Sequence, residues 1–312
     1  MVTVSEEAAA DYELTAKIAT EAFALPDVHF SAERIKWLYE RAFGRGTTVL
    51  AALDDGRKVG QIAMIGQSIC IAGEIHPAVQ LVDLFLLKAY RSAHVVRKLY
   101  AEVEKTCATQ NIRYMLALPN DKSAPLNARF LKLLPVMWMP IRAGVSLRRP
   151  TSAAIVHSGL LKSMRRDQAI ELFSPFTCPT DENGTHWDAK TLFDRLDDPT
   201  RDYAVHATAN LLLASAPRRT RGVSYTALCA FFARSSTRPS AHDVDELVRA
   251  ACRHWRQPMF VYAGANSRLP KLPGAPLPAR LRRPILVQLR DVSADAHNVS
   301  FDRFQLIDSD FA

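Results

Sequence analysis

Asp83 is an ionisable residue inside an otherwise apolar segment, "AVQLVDLFLL", which we predict to be a long strand near the centre of a sheet. A buried carboxylate has a raised pKa, which brings it closer to the range in which it can accept a proton from a substrate. Asp83 is therefore our candidate general base. The alternative is a structural carboxylate that caps a neighbouring loop or pairs with an arginine.

The strand with Asp83 leads directly into a polar turn and an amphipathic helix, in the stretch "DLFLLKAYRSAHVVRKLYAEVE". Backbone N–H groups at a helix start, together with the helix dipole, bind phosphate groups. We predict that the residues at this helix start form such a site: Ser92, Ala93, His94 and Val95. The turn has no glycine, the residue that lets a ligand approach the backbone closely. The side chains of His94 and Val96 then impair the site, unless His94 compensates by donating a hydrogen bond itself.

The overall composition is that of a soluble globular protein with one large domain or two of ordinary size, because 48% of its 312 residues are hydrophobic and 23% are charged. No apolar run approaches the roughly 18 residues that a membrane span needs. The N-terminus lacks the layout of a signal peptide, so we expect a cytoplasmic location. The net charge of +8 favours anionic partners. The alternative is that a GC-rich genome, which encodes many arginines, produces the same charge without such partners.

Metal and nucleic-acid sites are not expected. The five cysteines are widely separated without a C-x-x-C pair, and the nine histidines form no H-x-x-x-H or H-E-x-x-H pattern. We therefore predict reduced cysteines in the core and no bound metal. The sequence also contains no zinc finger, no helix-turn-helix signature and no basic stripe with interleaved aromatic residues. The hypothesis that the chain binds nucleic acid therefore rests on its net charge alone.

The first half is predicted to form a mixed sheet with helices on both faces, in the order β-α-α-β-β-β-α-β-α-β. The first helix is predicted over "SEEAAADYELTAKIATEAFA" with Ser5 as its cap, and the second begins at Ser31. The helix after the polar turn has an apolar face and runs to about Gln110. "VMWMPIRAGVSL" is predicted to close the sheet as a single strand.

The second half repeats part of this order, and we predict a divergent internal duplication. It begins with "RRPTSAAIVHSGLLKSMRRD", predicted as a linker followed by a helix, and "RPILVQLRD" and "FDRFQLIDSDFA" are its last strands. The basic segment "ASAPRRTRG" is predicted as a hairpin connection, so we expect no phosphate turn in this half. The predicted domains are a donor-binding domain over 1–150 and a degenerate copy over 151–312.

Four stretches resemble the GNAT acyltransferase superfamily, and more narrowly the bacterial tandem-GNAT proteins. They are "RIKWLYERAFGRGTTVLAALDDGRKVGQIAMI", "LVDLFLLKAYRSAHVVRKLYAEVEKTC", "YMLALPNDKSAPLNARFLKLL" and "FDRFQLIDSDFA". With the order of elements, the resemblance covers nearly all of the chain. It implies an α/β fold of the α+β type, duplicated as two GNAT-like halves of which the second is degenerate.

The resemblance also implies how an acyl donor is held. Backbone N–H groups of a splayed or bulged strand, here Leu84, Phe85 and Leu86, contact the acyl carbonyl and the pantetheine arm. Arg91 matches the first position of the family's phosphate loop, (Q/R)-x-x-G-x-(G/A), whose small residues are replaced here by His94 and Val96.

Three further places in the chain correspond to family features. Asn120 and Ser123 match an N-x-x-S segment that contacts pantetheine; their alternative role is helix capping, for which Ser123 is well suited. Phe130 stands where many members have the tyrosine that protonates the departing thiolate. Some tandem members use the terminal carboxylate as a base, which assigns that role to Ala312.

The resemblance therefore implies an N-acyltransferase with acetyl-CoA or a longer acyl-CoA as co-substrate, or an acyl-carrier protein as donor. The acceptor is an amine of a small molecule or sugar, no metal takes part, and the prediction allows a homodimer. The alternative is a catalytically silent GNAT-fold protein that binds a ligand or partner, as the missing glycines and Phe130 suggest.

Overall fold

The computed structural model describes residues 1–24, 30–146, 154–177, 181–235, 237–278, 280, 285–293 and 299–310. The chain forms two compact units. Unit 1 contains Met1–Ile69, Ile75–Met137 and Leu286–Val299, whereas unit 2 contains Cys70–Glu74, Trp138–Ile285 and Ser300–Ala312. A segment from the C-terminal half of the sequence therefore belongs to unit 1.

The described residues form the following seven α-helices: α1 (Tyr12–Phe23), α2 (Ala32–Glu40), α3 (Ala93–Thr109), α4 (Ala124–Phe130), α5 (Arg166–Phe173), α6 (Ala189–Leu196) and α7 (Ala241–His254). Among them, no helix is both long and apolar enough to cross a membrane.

The strands in the described part of the chain are β1 (Thr3–Glu6), β2 (Thr47–Asp54), β3 (Arg57–Ile71), β4 (Glu74–Leu86), β5 (Tyr114–Ala117), β6 (Leu134–Met139), β7 (Ile141–Val145), β8 (His157–Leu160), β9 (Gly184–Thr185), β10 (Ala204–Ala207), β11 (Leu211–Thr220), β12 (Val223–Ala233), β13 (Met259–Asn266), β14 (Ala275–Pro276), β15 (Ile285–Asp291) and β16 (Arg303–Gln305).

Unit 1 is a mixed sheet in the order β1-β2-β3-β4-β5-β15-β6. Strands β1 to β3 are antiparallel, and β4 and β5 are parallel because α3 connects them. The face of the sheet with Ile62 packs against the apolar sides of α1 and α3. Gln61 is the preceding residue of β3 and points to the opposite face, where it contacts α2. The predicted mixed sheet with helices on both faces is confirmed.

Local sequence signals account for the elements around the site. Ser31 accepts a hydrogen bond from the Arg34 amide at the start of α2, as predicted. The turn between β2 and β3 has positive φ at Asp55 and Gly56, which is the conformation that an Asp-Gly hairpin turn favours. The predicted apolar face of α3 is buried: Val95, Leu99, Val103 and Cys107.

Unit 2 repeats this plan. Its sheet contains β8, β10, β11, β12, β13 and β7 in that order, and α7 connects the parallel strands β12 and β13. Strand β16 also pairs with β13. The core between the sheet and α7 includes Phe231, Leu247 and Tyr262.

Several predicted elements were wrong in detail. Ser5 lies in β1, and α1 begins later with Asp11 as its cap. The predicted single closing strand is divided at Pro140 into β6 and β7, because proline cannot donate to a strand ladder. Part of the predicted linker forms β8, and "RPILVQLRD" pairs with β5 of unit 1 as β15. The hairpin between β11 and β12 turns at Arg221 and Gly222, at the end of the predicted connection "ASAPRRTRG", and the earlier residues of that segment belong to β11.

Candidate active site

Strands β4 and β5 separate within unit 1. Their parallel pairing runs from Ala78 opposite Tyr114 to Leu81 opposite Ala117, where β5 ends. Strand β4 continues to Leu86, and no other strand in the described part of the chain takes the place of β5 beside it. The backbone beyond Leu81 therefore has an edge without a strand partner, to which an extended ligand can hydrogen bond.

Asp83 lies at the point where the two strands separate, and its backbone is left-handed, with φ of +50°. Aspartate tolerates this conformation better than most residues, whereas a β-branched residue would be strained there. A left-handed residue inside a strand is typical of a bulge, which changes the direction of the side chains that follow. The predicted base thus occupies the irregular position of its strand.

The carboxylate of Asp83 is held by a buried chain of hydrogen bonds. Gln61 on β3 donates from Nε2 to the Tyr39 hydroxyl at 2.8 Å, and Tyr39 on α2 donates to Asp83 Oδ2 at 2.7 Å. The hydroxyl has one proton, and the Gln61 amide already donates to its oxygen, so this proton goes to Asp83. Oδ1 accepts no hydrogen bond from any residue that the structure describes, so it is the oxygen left for another partner.

Burial raises the pKa of Asp83, while the hydrogen bond from Tyr39 and the positive charge of Arg34 lower it in part. Asp83 as a whole residue is partly exposed. Burial and the neighbouring carboxylate raise the pKa of Tyr39 well above its ordinary value, so Tyr39 keeps its proton. This setting suits a carboxylate that accepts a proton, since a raised pKa makes it a stronger base.

The far end of β4 leads to a helix start. A short 3-10 turn, Lys88–Tyr90, precedes α3, and the hydroxyl of Ser92 accepts a hydrogen bond from the Val95 amide at 3.3 Å. Ala93 and His94 are the first helical residues, whose N–H groups have no partner inside a helix. The first turn of α3 contains no acidic residue. Of the four predicted amides, that of Val95 is already bonded within the chain.

The two bulky residues of the turn differ in burial. His94 is exposed, whereas Val96 is partly buried and packs against the core of unit 1. Ser92, Ala93 and His94 are all exposed, so the start of α3, with its positive helix end, lies at the surface although the turn contains no glycine.

Arg91 stabilises the turn through two hydrogen bonds to backbone carbonyls. Its Nε donates to the Leu86 carbonyl at 3.0 Å, and its Nη2 donates to the Ala22 carbonyl. These bonds tie the end of β4 to the end of α1, and they place a guanidinium beside the helix start. Its contact with a phosphate stays a prediction.

Asn120 and Ser123 bond to each other. Asn120 Oδ1 accepts from the Lys122 and Ser123 amides at 2.9 and 3.0 Å, and the Asn120 amide donates to Ser123 Oγ at 3.1 Å. Ser123 is the N-cap of α4, but its hydroxyl caps no helix amide. The capping role considered for Ser123 is therefore wrong, and Asn120 organises this loop instead.

Phe130 lies near two arginines and beside a buried tyrosine. The guanidinium carbons of Arg97 and Arg129 are 5.4 and 5.3 Å from its ring centre, and the Tyr100 ring is 6.3 Å away. The Tyr100 hydroxyl donates to Asn127 Oδ1 at 2.6 Å, and burial raises its pKa far above the ordinary value. Tyr100 therefore does not supply the proton that Phe130 lacks.

Ala312 lies outside the described residues, so its role as a base stays a prediction. The segment before it is firmly held, because Asp308 accepts hydrogen bonds from Trp187 Nε1 at 2.7 Å and from the Gln305 amide at 2.6 Å. No group of three or more metal-binding side chains occurs in the part of the chain that the structure describes.

No model of a known protein family matches the sequence, and no curated protein matches it. Solved structures match in fold. A GCN5-related N-acetyltransferase from Anabaena variabilis superposes with a TM-score of 0.63 at 12% identity, over 94% of this chain and 73% of that chain. N-myristoyltransferase from Saccharomyces cerevisiae, solved with bound myristoyl-CoA, gives 0.62 at 12% identity, over 98% and 83%.

A tandem GNAT protein from the clavulanic acid biosynthesis pathway is also similar, with a TM-score of 0.56 at 11% identity, over 95% of this chain and all of that chain. The chain therefore has a GNAT-type fold with two GNAT-like halves. The predicted resemblance is confirmed at the level of the fold.

Proposed function

We propose that this chain is an N-acyltransferase that moves an acyl group from acyl-CoA, or from an acyl-carrier protein, to an amine of a small molecule or sugar. One observation supports it above all. Strand β4 continues past the end of β5, with Asp83 at the point of separation and the start of α3 beyond its far end. The candidate base, the unpaired strand edge and the helix start thus follow one another along β4 and the turn after it.

The donor would lie along this path in unit 1. Its pantetheine arm is extended and contains amides. It can hydrogen bond to the backbone groups of Leu84, Phe85 and Leu86 that face the open edge, which alternate along a strand as they do for an added strand. Its phosphates would meet the amides of Ala93 and His94, where the helix dipole and the nearby Arg91 favour negative charge. Acetyl-CoA and longer acyl-CoA share both features.

The reaction needs only this chain's carboxylate and backbone. The amine nitrogen attacks the thioester carbon and forms the new C–N bond, while N–H groups of β4 stabilise the negative charge on the carbonyl oxygen. Asp83 Oδ1 accepts the proton that the nitrogen loses. The C–S bond then breaks, and the coenzyme leaves as a thiolate that takes a proton from water.

A second candidate function is supported by Phe130, which has no proton to give to the leaving thiolate. In this alternative, the chain binds an acyl-CoA or another partner without transferring the acyl group. Where that partner is an acyl-CoA, the two functions share the donor site and differ in turnover.

Calorimetry with acetyl-CoA and longer acyl-CoA, followed by an assay for free thiol with a panel of amines, separates these functions. The enzyme binds donor and releases thiol only when an amine is present. Binding without thiol release supports the silent protein, as does donor binding that appears only in the variant His94→Gly/Val96→Gly. No binding to any acyl-CoA or acyl-carrier protein contradicts the proposal.

A further inference from the structure

Unit 2 contains a second strand–helix–strand of the kind that forms the proposed donor site. Strands β12 and β13 pair in parallel from Thr226 opposite Phe260 to Leu228 opposite Tyr262, and α7 connects them. Strand β12 then continues to Ala233. This arrangement repeats that of β4, α3 and β5, so unit 2 has a cleft of the same type between β12 and β13.

The cleft in unit 2 is filled by the chain itself. Strand β16 pairs with β13 on one side, with Gln305 opposite Gly264. On the other side, Gln305 Oε1 accepts from the Phe231 amide at 2.8 Å, and its Nε2 donates to the Phe231 carbonyl at 3.0 Å. One side-chain carboxamide therefore satisfies both backbone groups of Phe231, which are the groups that an extended ligand in this cleft would otherwise contact.

The fit around this carboxamide is close. Tyr262 donates to Gln305 Oε1 at 3.1 Å, and Asn266 Nδ2 donates to the Phe231 carbonyl at 3.0 Å. Gln305 is completely buried. A Cβ atom on Gly264 would come within 2.7 Å of the Gln305 Cα, so glycine is needed for this approach.

The helix start in unit 2 also has an internal anion. In α7, Ser240 caps the Asp243 amide, and Asp243 Oδ2 accepts from the Ser240 amide and hydroxyl. Although burial acts in the opposite direction, these hydrogen bonds keep the pKa of Asp243 below its ordinary value, so the helix start carries a carboxylate. The equivalent turn of α3 has no acidic residue.

We propose that unit 2 retains a donor-type cleft whose amide and anion positions are occupied by this chain's own Gln305 and Asp243, so that the chain holds one acyl donor, in unit 1. The statement about unit 1 rests on the proposed function, whereas the occupied cleft in unit 2 does not. A ligand with an extended secondary amide would have to displace β16 to enter unit 2.

Amide hydrogen exchange of the full chain without ligand tests the occupied cleft. We expect slow exchange of the Phe231 amide, and an increase of about tenfold or more in Gln305→Met, which keeps the shape but loses the hydrogen bonds. Leu228, whose backbone lies within the β12–β13 pairing, should not change and serves as the reference. In acid, where its buried carboxyl is protonated, Gln305→Glu retains an acceptor oxygen and a donor hydroxyl and should keep Phe231 protected.

Unchanged exchange of Phe231 in Gln305→Met, or fast exchange in the natural chain, overturns the occupied cleft. Calorimetry with coenzyme A then counts the donor sites. One site per chain is expected, and two sites overturn the inference. If the natural chain binds no coenzyme A, the proposed function fails, while the exchange result still decides whether Gln305 fills unit 2.

Discussion

Tyr39 and Asp83, which lie 44 residues apart in the sequence, are joined by a hydrogen bond of 2.7 Å inside unit 1. The bond fixes one carboxylate oxygen at the position where β4 leaves β5. Tyr39 is itself oriented by Gln61, so the carboxylate is positioned by side chains from two other elements. Such support keeps a catalytic group in one geometry.

Replacing Asp83 with asparagine should remove the base and leave the bulge intact, since asparagine also tolerates a left-handed backbone. We expect kcat/KM to fall by about 10² to 10⁴ with little change in the Kd for acyl-CoA. The measurement is thiol release against acyl-CoA concentration, with calorimetry for the Kd. Full activity in Asp83→Asn would show that another group accepts the proton.

The same substitution has a predicted effect on stability. Because the pKa of Asp83 is higher in the folded state than in the unfolded chain, its protonated form favours folding. This contribution to the free energy of unfolding is complete below the unfolded-state pKa, and it is lost as the pH rises through the folded-state pKa. Asp83→Asn should therefore be at least as stable as the natural chain at pH 7 and lose this advantage in acid. Asp83→Ala should be less stable by about 1 kcal/mol, because alanine is strained at this φ. Thermal unfolding at several pH values compares the three chains.

Tyr39→Phe should shift the pH dependence of catalysis. The hydrogen bond from Tyr39 lowers the pKa of Asp83, so its loss raises that pKa, and the acid limb of the kcat/KM profile moves to higher pH. Tyr12→Phe is the matched control, because the Tyr12 hydroxyl bonds to Glu40 and not to the site. An acid limb that stays in place in Tyr39→Phe would separate this tyrosine from catalysis.

Ser92→Asp should weaken donor binding without weakening α3. Aspartate caps a helix as well as serine does, but its charge repels the phosphates of the coenzyme. We expect the Kd for coenzyme A to rise about tenfold, because a unit charge near the phosphates costs on the order of 1 kcal/mol. Ser92→Asn keeps the cap without the charge and should bind normally. Equal affinity of the two variants would move the phosphates away from this helix start.

Gly60→Ala should disturb the end of β4. A Cβ atom at Gly60 would overlap the Phe85 carbonyl oxygen and the Leu86 side chain. We expect a loss of about 1–3 kcal/mol of stability and weaker donor binding. In Gly159→Ala, the nearest atom to the new Cβ is 3.7 Å away in the His157 ring, so this control should change stability by less than about 0.5 kcal/mol. Normal coenzyme affinity in folded Gly60→Ala would mean that the ligand does not contact Phe85 and Leu86.

The sequence pointed to Asp83 because a carboxylate in an apolar strand is locally unusual, and it pointed to the start of α3 through the Ser92 turn and the periodic apolar face. It gave no sign of Tyr39 or Gln61 as partners. A contact over 44 residues depends on how α2 packs on the sheet, which no local pattern encodes.

The same limit explains the errors in strand assignment. The segment "RPILVQLRD" has a clear strand pattern, but its pattern does not say that it pairs with Ala117 and its neighbours in unit 1. In unit 2, the predicted connection "ASAPRRTRG" is too long, because Arg218 and Arg219 belong to β11, which ends at Thr220. The connection equivalent to the phosphate turn lies after Ala233, between β12 and α7.

Amide hydrogen exchange with and without coenzyme A tests the central claim most directly, because it locates the ligand on the backbone. We expect new protection at those amides of Leu84, Phe85 and Leu86 that face away from β3, and at Ala93 and His94, and none over β12. Protection that appears in β12, or binding that leaves residues 84–86 and 93–94 unchanged, would contradict a donor site in unit 1.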